Sequence, residues 1–486
     1  MTSRRKNWPV WLLAAATILF VGFFCSANWF RQVNLVTAQY DMGNMDQVLW
    51  HTLHGDWFRM TSPVYGNLEP RTATHADFLL LLYLPAYALF PDPRTPLLLQ
   101  VLAVASGVIP LFWMGRKRLG APTASIIAVL YLLFPALEYA VTFDVHAVVL
   151  AIPLLLWVWW ALTERRWWLY WICIGLLLLA KEEVGLTVAA LGCFWVWRRG
   201  YRVPSLVTIL LGIGWTALML GWAIPAARHA PGHFAITYYA DFGGTYPSIL
   251  SSVLDHPMQV LRHLWRQENA ALLYAVLVPI GVIPLVGLPT LLVSLPEFAV
   301  NLLSKNPNQQ RIYYQYLSVS IPILFLAAVA GWVRLRRWLA AIAVRFPRWH
   351  LQPSVTVGVL LLALYGIWRW SPLPWTQHSA DAMRTFSPSP YRQDVAVVRA
   401  MLLPSDRVAA TNNLVPQFSQ RNLIWGFPNA LDQADAVIVL EGGTSELLPP
   451  KDISAKVREL SHNPGYTLLF RDRLFWYFRK SGTAQQ

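Results

Sequence analysis

The chain has 486 residues, of which 56% are hydrophobic and 13% charged, with 25 tryptophans, a mean hydropathy of +0.41 and a net charge of +14. Soluble domains carry about a quarter charged residues, so this composition excludes a soluble globular protein and indicates a polytopic membrane protein. Cys25, Cys173 and Cys193 all fall in apolar runs, which argues against a disulfide framework or a thiolate metal site.

The basic residues Arg4, Arg5 and Lys6 precede a mostly apolar stretch, 8–30, long enough to cross a bilayer. Cys25-Ser26-Ala27 has the small residues of a signal cleavage site. The apolar run continues past it and ten more runs follow, so an uncleaved first span is expected.

A polar loop, 31–77, comes next and contains Gln39-Tyr40-Asp41-Met42-Gly43-Asn44-Met45-Asp46-Gln47, followed by His51, His54, Arg71, His75 and Asp77. Met45, Leu49, Leu53 and Trp57 recur at every fourth residue, which predicts a short amphipathic helix lying on a membrane surface. Asp41 precedes that helix, and Gly43 suits a tight turn. A carboxylate at a helix start is held ionised by the free N–H groups and can accept a proton. Capping is the other role open to Asp41 or Asp46.

Further spans are predicted at 96–115, 121–140, 145–162, 167–180, 184–197, 204–225, 271–286, 288–303, 318–333 and 355–370, for eleven in all. The stretch 78–90 is too short to cross comfortably and reads as a re-entrant or interfacial segment. Charge then fixes the topology. With 78–90 not crossing, one side receives Arg4, Arg5, Lys6, Arg116, Lys117, Arg118, Arg165, Arg166, Arg198, Arg199, Arg202, Arg334, Arg336, Arg337, Arg345 and Arg348, against the single acid Glu164. By the positive-inside rule that side is the cytoplasm, so the N-terminus is cytoplasmic and the C-terminus extracytoplasmic. Nucleic-acid binding is not expected, because topology already accounts for the basic charge.

The same orientation gathers the remaining polar clusters on the outer side. Asp144 and His146 stand between two apolar runs, and Lys181, Glu182 and Glu183 between two more; ionisable groups there either face a cavity or are plain polar turns. Lys181 can attract a phosphate, and Asp144 with His146 can assist a base. No ligand spacing is diagnostic of a metal, so no cofactor is fixed; Asp41, Asp144 and His146 are the residues that can hold a divalent ion. The loop 226–269 has the length of a lid or binding loop. Glu297 sits near a span end, Arg311 suits a phosphate clamp, and Tyr314 and its neighbours either stack on a sugar or prenyl chain or act as interfacial belt residues.

After Trp370 the composition becomes balanced. Residues 391–403 read as helix, 407–411, 423–427 and 436–441 as short buried strands, and 466–470 with 474–478 as a hairpin. The fold class is therefore mainly α: a transmembrane domain, 1–370, carrying outer loops 31–77 and 226–269, with a small extracytoplasmic α/β domain, 371–486. Glu441-Gly442-Gly443-Thr444 is too short a signal to assign a phosphate site.

The run from Tyr40 to Gly55 resembles the opening motif of a large, mostly uncharacterised family of prokaryotic membrane proteins grouped with the GT-C glycosyltransferases. His75, Phe143-Asp144-Val145-His146, Ala180-Lys181-Glu182-Glu183, Leu295-Pro296-Glu297, Asn306-Pro307 and Ala409-Ala410-Thr411-Asn412 also fall at that family's motifs. The resemblance implies a membrane glycosyltransferase that takes a sugar from a polyprenyl-phosphate donor and passes it to a glycan, lipid or protein acceptor at the outer face of the cytoplasmic membrane. An acidic residue of the first outer loop would act as base or help to hold a metal. The usual paired acidic form is replaced here by Asp41 with Asp46 five residues on, so the resemblance leaves either carboxylate as the base. The alternatives are a transporter or flippase of a lipid-linked glycan, which needs polar groups on the cytoplasmic side of the spans, and a non-catalytic membrane assembly protein.

Overall fold

The computed structural model describes residues 7–62, 66–345, 351–443 and 448–482. Arg4, Arg5, Lys6, Arg348 and Thr444 lie outside the described residues. The chain is mostly helical, and among the described residues four helices are long and apolar enough to cross a membrane: Trp8–Val33, Arg94–Leu119, Arg202–Arg228 and Gln352–Trp370. The stretch read as 121–140 is a bent pair, Ala121–Leu132 and Pro135–Thr142, turned by 46°. Pro135 disfavours helical geometry at the residue before it. Ala147–Thr163, Trp167–Leu178, Val184–Trp195 and Leu288–Leu302 are shorter apolar helices.

The expected span 271–286 is not one helix. Gln267–Leu277 gives way to a single turn at Val278–Ile280, and Gly281 and Val282 then take positive φ of 62° and 54° before Ile283–Val286 resumes. Pro279, Pro284, Pro289 and Pro296 each withdraw a backbone donor, which fragments this part of the bundle. Elsewhere glycine permits close packing. A Cβ on Gly185 or Gly212 would stand 2.3 Å from the other's carbonyl oxygen, where Val184–Trp195 crosses Arg202–Leu218.

The two ends of the bundle differ in charge. At 1.5 Å per residue, the 26 residues of Arg94–Leu119 span roughly 39 Å. At one end Arg94 lies over the Trp29 ring and borders a cavity shared with Arg399 and Gln420 of the C-terminal part. At the other, Lys117 pairs with Glu164 at 2.9 Å, Arg198 lies over Trp195, and Arg336 donates to the Leu119 carbonyl. The basic connectors thus gather at the end away from the C-terminal sheet. The segment 78–90 folds as a 3-10 stretch, Phe78–Tyr83, and a short helix, Leu84–Leu89. It begins where the Leu79 amide donates to the Leu179 carbonyl and ends where Gln420 donates to the Pro91 carbonyl, so it enters and leaves at the sheet end.

A hairpin pairs β1 (Arg59–Thr61) with β2 (Leu68–Pro70). The C-terminal sheet contains β3 (Val408–Ala410), β4 (Ile424–Gly426), β5 (Ala436–Leu440), β6 (Tyr466–Asp472) and β7 (Phe475–Lys480), in the order β4-β3-β5-β7-β6. Strands β3, β4 and β5 are parallel, and β5, β7 and β6 antiparallel. Side chains alternate between faces along each strand. Val408, Ala410, Ile438, Phe475 and Tyr477 therefore pack on one core with Val395 and Val398 of the helix Arg392–Met401. Ala409, Val437, Val439, Trp476 and Phe478 pack on another with Ile453, Val457 and Leu460 of the helix Pro450–His462.

Candidate functional site

Asp41 lies on a π-helical turn, Gln39–Gly43, that runs directly into the helix Asn44–Leu53. Such turns carry one residue more than an α-helical turn and commonly mark functional positions. Gly43 is helical rather than a tight-turn glycine; a Cβ there would come 2.9 Å from Val415 of the C-terminal part. The helix is also not a membrane-surface helix. Asn44, Met45, Asp46, Gln47, Val48, Leu49 and His51 are all buried, because C-terminal residues cover the face that the apolar spacing leaves polar. Gln47 donates to the Arg421 carbonyl, His51 contacts the Asn422 carbonyl, and the Gln39 amide donates to Asn412 Oδ1 at 2.8 Å.

The two carboxylates of this stretch have different surroundings. Asp46 is fully buried, accepting hydrogen bonds from Tyr87 at 2.5 Å and Ser419 at 2.6 Å. Burial pushes its pKa up to about 6, against the lowering effect of those hydroxyls. It joins the helix to the re-entrant segment and the C-terminal part. Asp41 keeps a quarter of its side chain exposed, and His146 Nε2 lies 2.9 Å from its Oδ1. His146 Nδ1 faces the Phe143 carbonyl at 3.0 Å. Both imidazole nitrogens therefore face acceptors, and the ring can donate to Asp41 or to the Phe143 carbonyl according to its tautomer.

Asp144 positions this pair. It sits at a φ of 48°, uncommon for a residue with a side chain. Its Oδ1 accepts from Arg31 at 3.2 Å and its Oδ2 from the Ala38 amide at 2.9 Å, which ties the Asp41 turn to the end of the first helix. Burial raises the Asp144 pKa, opposed by Arg31. Gln100, buried in an otherwise apolar span, donates to the Asp144 carbonyl and accepts from the His146 amide. Gln100 and Arg31 were not among the expected site residues; for Gln100 the readable signal is a lone amide inside an apolar run. Asp41, Asp144 and His146 do not make a metal site as they stand. Both Asp144 oxygens already bind donors, and these three are not among the described residues whose ligand atoms converge.

A second cluster lies across Tyr316, which is within electrostatic reach of both Asp41 and Lys181. Lys181 Nζ is 2.5 Å from Glu183 Oε1, and both side chains are largely buried. Burial opposes its charge, but Glu183 and Glu182 outweigh that and raise its pKa, so Lys181 is a neutralised cation rather than a free phosphate clamp. Buried Glu297 adds another carboxyl group that interacts with Glu183 and Lys181. Glu182 accepts from the Ala76 amide at 2.9 Å and lies 2.7 Å from His75 Nδ1 and 3.3 Å from His233 Nε2. Burial lowers the His75 pKa to about 4, leaving a neutral ring that donates to an ionised Glu182. His233 was visible in the sequence only as a member of the 226–269 loop.

The same loop is fastened by Asp241, which pairs with His263, Arg266 and Lys305. Tyr314 packs edge-on against Phe143, whose ring stacks on His146. Arg311 is exposed, and no carboxylate pairs with it among the described residues. Beside the Asp41 turn, a cavity of about 570 Å3 is lined by Phe24, Arg31, Phe143, Tyr314 and Arg384 among others. Arg31 Nε is buried there without a partner.

Residues 31–440 match the family described as predicted membrane protein DUF2079. The chain belongs to that family. No curated protein matches the sequence. Among solved structures, the DUF2079 chain is similar to ArnT from Cupriavidus metallidurans bound to undecaprenyl phosphate, with a TM-score of 0.51 at 12% identity over 98% of this chain and 99% of that one. Against apo ArnT the TM-score is 0.51 at 14% identity, covering 98% of both chains. The apo oligosaccharyltransferase of Archaeoglobus fulgidus aligns over 90% of this chain and 66% of that one, at 14% identity and a TM-score of 0.48. At these identities the likeness is one of fold, the GT-C fold.

Proposed function

We propose that this protein is a membrane glycosyltransferase that moves a sugar from a polyprenyl-phosphate donor to a hydroxyl-bearing acceptor at the outer face of the cytoplasmic membrane. The observation that carries the reading is Asp41, a partly exposed carboxylate on a π-helical turn, held by His146 and positioned through Asp144, Arg31 and Gln100. The GT-C fold and the undecaprenyl phosphate bound to ArnT support the donor class.

A sugar phosphate brings its own leaving group. The protein must then supply a base for the acceptor oxygen, positive charge for the departing phosphate and shelter from water. Asp41 is the base. As the acceptor oxygen bonds to the anomeric carbon, its proton passes to Asp41 and the carbon–phosphate oxygen bond breaks. Exposed Arg311 fits the phosphate better than Lys181, whose charge Glu183 cancels; Arg31 is paired with Asp144 and has only its Nε to offer. Phe143 and Tyr314 supply apolar surface for a sugar ring or prenyl chain.

The test is transfer of radiolabelled sugar from a panel of polyprenyl-phosphate sugars by purified wild-type protein and Asp41→Asn. General-base catalysis contributes about 10²–10⁴-fold, so the variant should lose at least about a hundredfold in rate while eluting as the same detergent-solubilised species. Undiminished transfer by Asp41→Asn overturns the assignment.

A further inference from the structure

We infer that His75, Glu182 and His233 form a binding site for one divalent transition-metal ion of the zinc class, which fastens the 226–269 loop over the first polar loop. Their ligand atoms all lie within 4.8 Å of one another, the one such group of three among the described residues. The donors come from three separate places. His75 closes the first polar loop, Glu182 follows the helix Trp167–Leu178, and His233 precedes the turn Phe234–Tyr239.

Two imidazole nitrogens and a carboxylate oxygen form a donor set suited to a borderline-soft cation, with a fourth position left for water. The spacing fits. Zinc–ligand bonds of about 2.1 Å in a tetrahedron put ligand atoms about 3.4 Å apart. Here His75 Nδ1 and His233 Nε2 are already 2.7 Å and 3.3 Å from the same oxygen, Glu182 Oε1.

Charge points the same way. Lys181 is matched by Glu183, which leaves Glu182 as an uncancelled negative charge facing two imidazoles. The supporting contacts hold the carboxylate in place: Glu182 Oε2 accepts from the Ala76 amide, and its backbone carbonyl accepts from Thr216. In the metal-free arrangement protons occupy the ion's position. The Ala235 amide donates to His233 Nδ1 at 3.1 Å, which places that ring's proton on Nε2, pointing at the Thr74 carbonyl and Glu182. An incoming ion takes the places of the protons on His75 Nδ1 and His233 Nε2, and each ring passes to its other tautomer, with the proton on His75 Nε2 and on His233 Nδ1, so that the Ala235 contact opens. The turn beginning at Phe234 is therefore the part that yields on loading.

The test uses the full-length protein in detergent and needs neither donor nor acceptor. After purification, metal-free dialysis, incubation with a small excess of zinc chloride and desalting, elemental analysis should find one zinc per chain. His75→Ala and Glu182→Gln should lose it, whereas His146→Ala should keep it. Because Glu182→Gln also disturbs the Ala76 contact, His75, whose side chain is about a fifth exposed, supplies the variant that folds. Zinc should also slow tryptic cleavage after Arg262 in the loop by about tenfold at ten times its Kd, and a chelator should reverse this. Zinc-free wild-type protein, zinc retained by His75→Ala, zinc lost from His146→Ala, or loop cleavage indifferent to zinc would each overturn the inference. The inference stands apart from sugar transfer: loss of activity in Asp41→Asn with one zinc still bound separates the two.

Discussion

Replacing Asp46 by asparagine should stabilise the protein at neutral pH. In the native state this carboxyl is fully buried and its pKa lies at about 6, against an ordinary 3.8. A raised native pKa means that the protonated acid is the favoured form. Its contribution is complete below pH 3.8 and is lost as pH rises through about 6. At 1.36 kcal/mol per unit, the loss across that window is about 3 kcal/mol. Asparagine retains an oxygen to accept from Tyr87, and its amide can donate to the Ser419 hydroxyl, which currently donates to Oδ2 at 2.6 Å. Asp46→Asn should therefore unfold at a higher temperature than wild type at pH 7.5, with the gap closing toward pH 4. Thermal unfolding of both proteins in detergent, followed by tryptophan fluorescence across pH 4–8, measures this. A variant less stable than wild type by a constant amount at every pH would refute the reasoning. Complete loss of transfer in a stabilised Asp46→Asn would move the base away from Asp41.

Arg71→Ala removes the guanidinium that holds Asp77 through Nε and Nη2, both groups being buried. The stranded carboxylate should cost about 3–5 kcal/mol, read as a fall in unfolding temperature, and Arg71→Ala with Asp77→Ala should recover part of it. Gly43→Ala drives a methyl to 2.9 Å from Val415. It should destabilise by about 1–3 kcal/mol, and Val415→Ala should suppress the defect in the same assay. Gln100→Leu leaves the Asp144 carbonyl and the His146 amide without their partner. With about 1–3 kcal/mol per orphaned group, the unfolding temperature should fall, and transfer measured on the protein that remains folded should fall with it.

Much of this architecture is readable before folding is considered, and the exceptions have physical causes. The apolar runs and basic connectors locate the bundle and separate its ends, as Lys117–Glu164 at one end and Arg94 at the other illustrate. The short continuous apolar runs 436–440 and 475–478 locate buried strands. The helix Asn44–Leu53 was misread because its polar face looks solvated until Ser419, Arg421 and Asn422, over 370 residues away, are seen to cover it. The break at Gly281 was missed because hydropathy averages over prolines. Within the site, Asp41, Asp144 and His146 stand in motifs, and Gln100 carries a weaker cue. The pairing of Lys181 with Glu183 and the convergence of His233 on Glu182 depend on side-chain direction across three loops, which no local pattern encodes.

The hydrogen bond from the Gln39 amide to Asn412 joins residues 373 positions apart, and Gln32 reaches Pro416 in the same way. Synthesis at about 5–20 residues per second separates their emergence by roughly 20–75 s. Throughout that interval the first polar loop exists without the groups that shape its turn. A nascent chain therefore lacks these two fastenings of the Asp41 turn until residues 412–416 arrive, and one terminated before them never acquires them.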